Sequence, residues 1–156
     1  MSKRLLGAIG ALLLPLLAAR AADLPEIREG LWESHLQTID KTTNKKEEST
    51  FKICRSNESE KHAYETMKAL KGCTFDMQNL GGGKYVTTSR CTIGGSVIEG
   101  KSTLQVTSTS SHAESHTTYT PASYGKSDDV TIQDQKYLGD CPAGTKPGQI
   151  IKAGGT

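Results

Sequence analysis

The chain has 156 residues, with 19 Lys and Arg against 17 Asp and Glu, and only 5% of it is aromatic. Three of the basic residues, Lys3, Arg4 and Arg20, stand in the amino-terminal segment, so 19 less three leaves 16 positive against 17 negative charges in the remainder. A body that close to neutral does not point to nucleic acid or to an anionic surface as partner.

Residues 1–21 read as an export signal. Lys3 and Arg4 start it, an apolar run follows from Leu5 to Leu17, and Ala19-Arg20-Ala21 offers small residues at the two positions a signal peptidase reads. The run is shorter than the roughly 20 apolar residues a membrane span needs. The mature chain is expected to start at Ala22, with 22–156 as a single domain and no membrane span once the signal is removed. Localisation in the periplasm, or secretion, follows from that signal.

Gly30 to Ile39 reads as a first strand, with Trp32, Ser34, Leu36 and Thr38 on one face. Ser49, Phe51 and Ile53 alternate with charged and polar neighbours in a second strand closed by Cys54. The polar stretch between them turns, which makes a hairpin. The period then changes. Asn57, with Glu60 three residues on, reads as a helix cap. Ala63, Tyr64, Met67 and Leu70 make an apolar stripe at helical spacing, and Gly72 suits the left-handed stop.

Strand patterns return at Cys73, Phe75 and Met77. Gly81-Gly82-Gly83 turns, Lys84 to Ile93 is rich in Thr and β-branched residues, Gly94-Gly95 turns again, and Ser96 to Ser108, Ser111 to Thr120 and Val130 to Leu138 follow as strands. The tail from Gly139 is expected to lie over the sheet without pairing. Short turns favour antiparallel neighbours. The fold class is therefore α+β, mainly β: a curved antiparallel sheet of about six or seven strands with one helix after the second strand. Closure into a barrel is left open by alternation alone.

Four cysteines behind an export signal imply two disulfides in an oxidising compartment. With Gly81-Gly82-Gly83 as a three-residue loop, Leu80 faces Lys84. Counting outward, Met77 faces Thr87, Phe75 faces Ser89 and Cys73 faces Cys91. Directly opposed residues are within reach of a bridge. Cys73 pairs with Cys91 on that register, which leaves Cys54 with Cys141. The candidate core is thin for such a length, and a thin core gains most from crosslinks. The spacings are too wide for a Cys-x-x-Cys redox pair, and structural bridges leave no thiolates for zinc.

Candidate chemistry elsewhere is sparse. His112, Glu114 and His116 share one face of a strand, where the two histidines lie about 13 Å apart. That is too far to hold one metal ion, and the three read as the wet face; a metal or pH-sensing role is the functional alternative. Trp32, the only tryptophan, reads first as the largest core plug, with the floor of a binding cavity as its alternative. The possible ligand-facing set is thus Trp32, His112, Glu114 and His116. No catalytic constellation, metal site or cofactor motif stands out, so the chain is read as no enzyme and as needing no cofactor.

Gly30-Leu31-Trp32-Glu33, Cys54 at the end of the next strand, Lys71-Gly72-Cys73-Thr74, Cys91, and Tyr137-Leu138-Gly139-Asp140-Cys141 together resemble the bacterial domain of unknown function 3617 family, over nearly all of the mature chain. That resemblance implies an exported protein, mostly from Gram-negative bacteria, with a periplasmic location and no established activity. The Ser/Thr-rich middle is this chain's own departure. The expected function is a non-enzymatic periplasmic binding or interaction module for a small apolar ligand or another envelope protein. The alternative is an inhibitor or immunity-like protein acting on a cell-envelope hydrolase.

Overall fold

The computed structural model describes residues 24–151; the expected leader, 1–21, and the start at Ala22 lie outside them. The elements run β1 (Gly30–Asp40), β2 (Lys46–Arg55), α1 (Asn57–Lys68), β3 (Cys73–Gly81), β4 (Lys84–Ile93), β5 (Ser96–Val106), β6 (Ser110–Ser123), β7 (Lys126–Gly139) and β8 (Ile150–Ile151). All strands belong to one antiparallel sheet in the order β3-β4-β5-β6-β7-β1-β2-β8. After the first hairpin, α1 carries the chain to the far edge. The meander β3 to β7 then returns strand by strand to pair with β1. The sheet is not closed: β3 and β8 stand at opposite edges.

The strand count exceeds the expected six or seven because the tail does pair. Ile150 and Ile151 sit opposite Ile53 and Lys52, and Cys54 receives a bond at its carbonyl from Gly148 N–H while its own N–H donates to Gln149 O. The polar backbone of β2 would otherwise be left without partners along this edge. The Cys54–Cys141 bridge, with its Cα atoms 5.7 Å apart, brings the tail there.

The helix starts one residue earlier than the Asn57 cap would place it. Ser56, in extended conformation, is the N-cap, and it exchanges side-chain-to-backbone bonds with Ser59. Glu60 is engaged elsewhere, in an ion pair with Arg55. Asn57 instead ties the amino-terminal segment to the helix. Its side-chain amide accepts from Ile27 N–H at 3.0 Å and donates to Ile27 O at 3.2 Å. The helix ends at Lys68, with Ala69 as its right-handed C-cap. Leu70 therefore falls outside it, and Gly72, at φ +78°, shapes the entry to β3 instead of stopping the helix.

Side chains alternate between two faces of a strand. By register, one face carries Trp32, Ser34 and Leu36 of β1, Tyr137, Gln135 and Gln133 of β7, Ser111 and Ala113 of β6, Val106 and Leu104 of β5, Thr87 of β4 and Met77 of β3. This is the face that α1 overlies. The opposite face carries His112, Glu114, His116 and Asp134. Among the described residues the buried apolar side chains are few, namely Ile27, Trp32, Cys54 and Tyr85. Met67, Leu70 and Leu138 are exposed. No residue of α1 is buried.

Candidate functional site

Trp32 has no exposed surface. Its indole N–H donates to Arg28 O at 2.8 Å, the Tyr137 ring meets it edge-on at 5.9 Å, and the Arg55 guanidinium lies over it at 5.1 Å. Arg55 is held on three sides. Its Nε donates to Glu60 of α1 at 2.8 Å, one terminal nitrogen donates to Gln135 Oε1 at 2.8 Å, and the indole supports its flat face. Arg55 thus combines a cation–π contact with two charge-assisted hydrogen bonds. Its side chain is 12% exposed, and the edge that remains open faces a cavity.

That cavity, of about 250 Å³, lies between α1 and the sheet. Ala63, Tyr64 and Met67 of the helical stripe line one wall. Met77, Leu104 and Val106 line the other. The amino-terminal residues Leu24, Pro25 and Ile27 close one side. At the floor the character turns polar: Arg55 and Glu60 stand beside Gln135, Gln133 and Ser111. Ser111 Oγ donates to Gln135 Oε1 at 2.9 Å, and Gln133 Nε2 donates to the buried Ser34 hydroxyl at 2.8 Å. A second depression, of about 400 Å³, adjoins it along α1, sharing Leu24, Pro25, Glu60 and Tyr64 and adding Glu26, Asn57, Lys61, Glu65 and Lys68.

The apolar stripe of the helix thus stands across the cavity from the sheet. Met67 keeps 43% of its surface exposed. Apolar residues of the helix and of the sheet line the same cavity above a polar floor, and this makes an amphipathic site.

The ligand-facing candidates read from the sequence fall on opposite sides of the sheet. Trp32 lies on the helix side, beneath Arg55, and the residues that line the cavity do not include it. His112, Glu114 and His116 lie on the outer face, about half exposed. His112 Nδ1 meets Asp134 at 2.6 Å and its Nε2 meets Glu114 at 3.3 Å, whereas His116 meets Asp128 at 2.8 Å. The two histidines are thus engaged by different carboxylates. Among the described residues no group of three or more His, Cys, Asp or Glu is placed to hold a metal ion. The residues that make the cavity floor, Arg55, Gln133 and Gln135, are not singled out by sequence reasoning. Arg55 follows Cys54 directly, but only the approach of α1 and β7 shows what its side chain meets.

The pKa of the His112 imidazole is raised above its ordinary 6.5, first by the hydrogen bond it donates to Asp134, then by that to Glu114, with desolvation opposing. A raised folded-state value means that the charged form is favoured by folding. Its stabilisation is complete below pH 6.5 and is lost as pH rises through the raised value. With 47% of the side chain exposed, the effect is small and screened by salt. The urea midpoint is expected to decline slightly as pH rises above 6.5, and His112→Gln is expected to flatten that decline. An unchanged slope in the variant would assign the pH dependence to other groups.

No helix among the described residues is long and apolar enough to cross a membrane. No curated protein and no solved structure matches the chain. A family model does match, over residues 27–141, which is most of the chain and spans every strand of the meander and all four cysteines. The chain belongs to the family described as protein of unknown function (DUF3617).

Proposed function

We propose that the mature protein is exported to the periplasm and works there as a non-catalytic binding module, taking a small apolar or amphipathic molecule into the cavity beneath α1. The observation that carries this reading is the separation of the helical stripe from the sheet: Ala63, Tyr64 and Met67 face Met77, Leu104 and Val106 across about 250 Å³. Apolar surfaces left apart lose dispersion contacts on both sides, which a ligand of matching shape restores. The two disulfides support an oxidising compartment.

The test is to express the whole chain in a Gram-negative host and purify it from the periplasm. Native mass spectrometry and organic extraction then follow. The expected result is a chain starting at Ala22, with both bridges formed and a small molecule released on denaturation. Met67→Trp, which fills the cavity from the helix side, is expected to abolish that cargo. Recovery of an envelope hydrolase with the cavity empty would instead favour the inhibitor or immunity-like reading. A reduced cytosolic protein retaining its leader would overturn the assignment of compartment.

A further inference from the structure

Two side-chain amides define what the cavity floor asks of its occupant. Gln133 commits its Nε2 to the buried Ser34 hydroxyl, which turns its carbonyl oxygen away from that bond. Gln135 does the reverse: its Oε1 accepts from both Arg55 and Ser111, which leaves its NH2 group as the end without a protein partner. Each amide is therefore oriented by bonds at one end. Among the described residues, neither Gln133 Oε1 nor Gln135 Nε2 has a hydrogen-bond partner, and neither is sealed inside the protein. The two stand two residues apart on β7, on the same face, about 7 Å apart along the strand. An acceptor and a donor are thus offered side by side to whatever enters.

Charge at the floor is already balanced. Among the described residues that line the cavity, Arg55 carries the one positive charge and Glu60 the one negative charge, and the two are joined at 2.8 Å. An anionic ligand would meet the Glu60 carboxylate, and a cationic one the guanidinium. Each would leave water without an unpaired counter-charge to receive it. Above the floor the helix wall is Ala63, Tyr64 and Met67, and the sheet wall is apolar at Met77, Leu104, Val106 and Ala113 with the small hydroxyls of Thr87 and Ser102 among them. We propose that the occupant is an uncharged, single-tailed amphiphile bearing an amide. Its N–H is accepted by Gln133 Oε1, its carbonyl oxygen takes the N–H of Gln135, and its alkyl tail lies between Met67 and Leu104. This rests on the binding reading above and names the ligand class for the same site.

Three probes of eight carbons each separate the possibilities: octanamide, octanoate and octylammonium, each titrated into ¹⁵N-labelled protein at neutral pH. Octanamide is expected to bind at least fivefold more tightly than either ion and to shift the side-chain NH2 signals of Gln133 and Gln135. Gln133→Met is expected to weaken octanamide about fivefold and to leave octanoate unchanged. Glu60→Gln leaves the Ser56–Ser59 cap in place and unmasks the Arg55 charge, so within that variant the ratio of octanoate to octanamide affinity is expected to rise at least fivefold, and an unchanged ratio overturns the charge argument. Equal binding of all three probes, or octanamide binding with both glutamine signals unmoved, overturns the amide assignment and leaves the cavity reading standing. If none of the three binds, at concentrations where the unaltered protein still releases a natural cargo, the amide assignment fails alone. If none binds and no cargo is found, both fail together.

Discussion

Replacing Cys54 and Cys141 together by serine is expected to lower the unfolding free energy by about 4–5 kcal/mol. The bridge closes a separation of 87 residues, and the entropy that a crosslink removes from the unfolded chain grows with the logarithm of that length. Cys54 is also fully buried, and its backbone pairs with Gly148 and Gln149. Loss of the bridge should therefore release β8 first, and the amides of Ile150 and Ile151 should lose exchange protection before those of β1. The corresponding change at Cys73 and Cys91 spans only 18 residues and is expected to cost about 3 kcal/mol. Those two residues already face each other in the β3–β4 ladder, with Cα atoms 4.0 Å apart. Urea unfolding of both double variants, under identical conditions, measures the difference. A larger loss from the short loop than from the long one would show that chain entropy does not set the order.

Trp32→Ala is expected to cost about 3–5 kcal/mol, the range for removing a large aromatic from a core. For a domain whose total stability is of the order of 5–15 kcal/mol, that is enough to unfold much of the population at 37 °C. The effect is large because so little else is buried. Trp32 is the largest fully buried side chain and touches three other parts of the molecule: the Arg28 carbonyl, the Tyr137 ring and the Arg55 guanidinium. Trp32→Phe keeps a ring under Arg55 and should lose substantially less. Met67→Ala, at a position 43% exposed, should cost under about 1 kcal/mol. Chemical denaturation of the three variants checks the ranking. A mild Trp32→Ala with a severe Met67→Ala would mean that α1 is packed onto the sheet in solution and that the cavity is closed.

The disulfide pairing shows how a local argument succeeds through compensation. By sequence the triple glycine reads as a three-residue loop with Leu80 opposite Lys84. In the structure Gly81 stands opposite Lys84, so Gly82 and Gly83 alone form the turn, both with positive φ. That is the backbone a tight two-residue hairpin requires. Such a loop by itself would move every pair by one residue. Leu80 bulges out between Asn79 and Gly81, exposed, and moves the ladder back. Cys73 therefore faces Cys91, Phe75 faces Ser89 and Met77 faces Thr87, the same pairs that counting along the sequence gives.

The helix illustrates the opposite case. Its existence is legible in the 3.6-residue period, and so are the residues of its apolar stripe. Periodicity reports which side chains share a face, not how far that face stands from its neighbour. The distance is decided by Asn57 holding Ile27 and by Glu60 holding Arg55, contacts that position α1 over the floor without seating it. Arg55, Gln133 and Gln135 are silent in the sequence for the same reason: 80 positions separate Arg55 from Gln135, and 99 separate Gln133 from Ser34.

From sequence alone came the strands, the single helix, the hairpins and both bridges. Each depends on alternation, turn chemistry or the count between neighbouring residues, and these act over a few positions of chain. Tertiary structure alone decided that the sheet stays open, that the tail adds an edge strand, that the histidine stripe and the tryptophan lie on opposite faces, and that an arginine on an indole floors a cavity beneath α1. Those outcomes depend on which distant segments the long crossover and the Cys54–Cys141 bridge bring side by side, and no local pattern encodes that proximity.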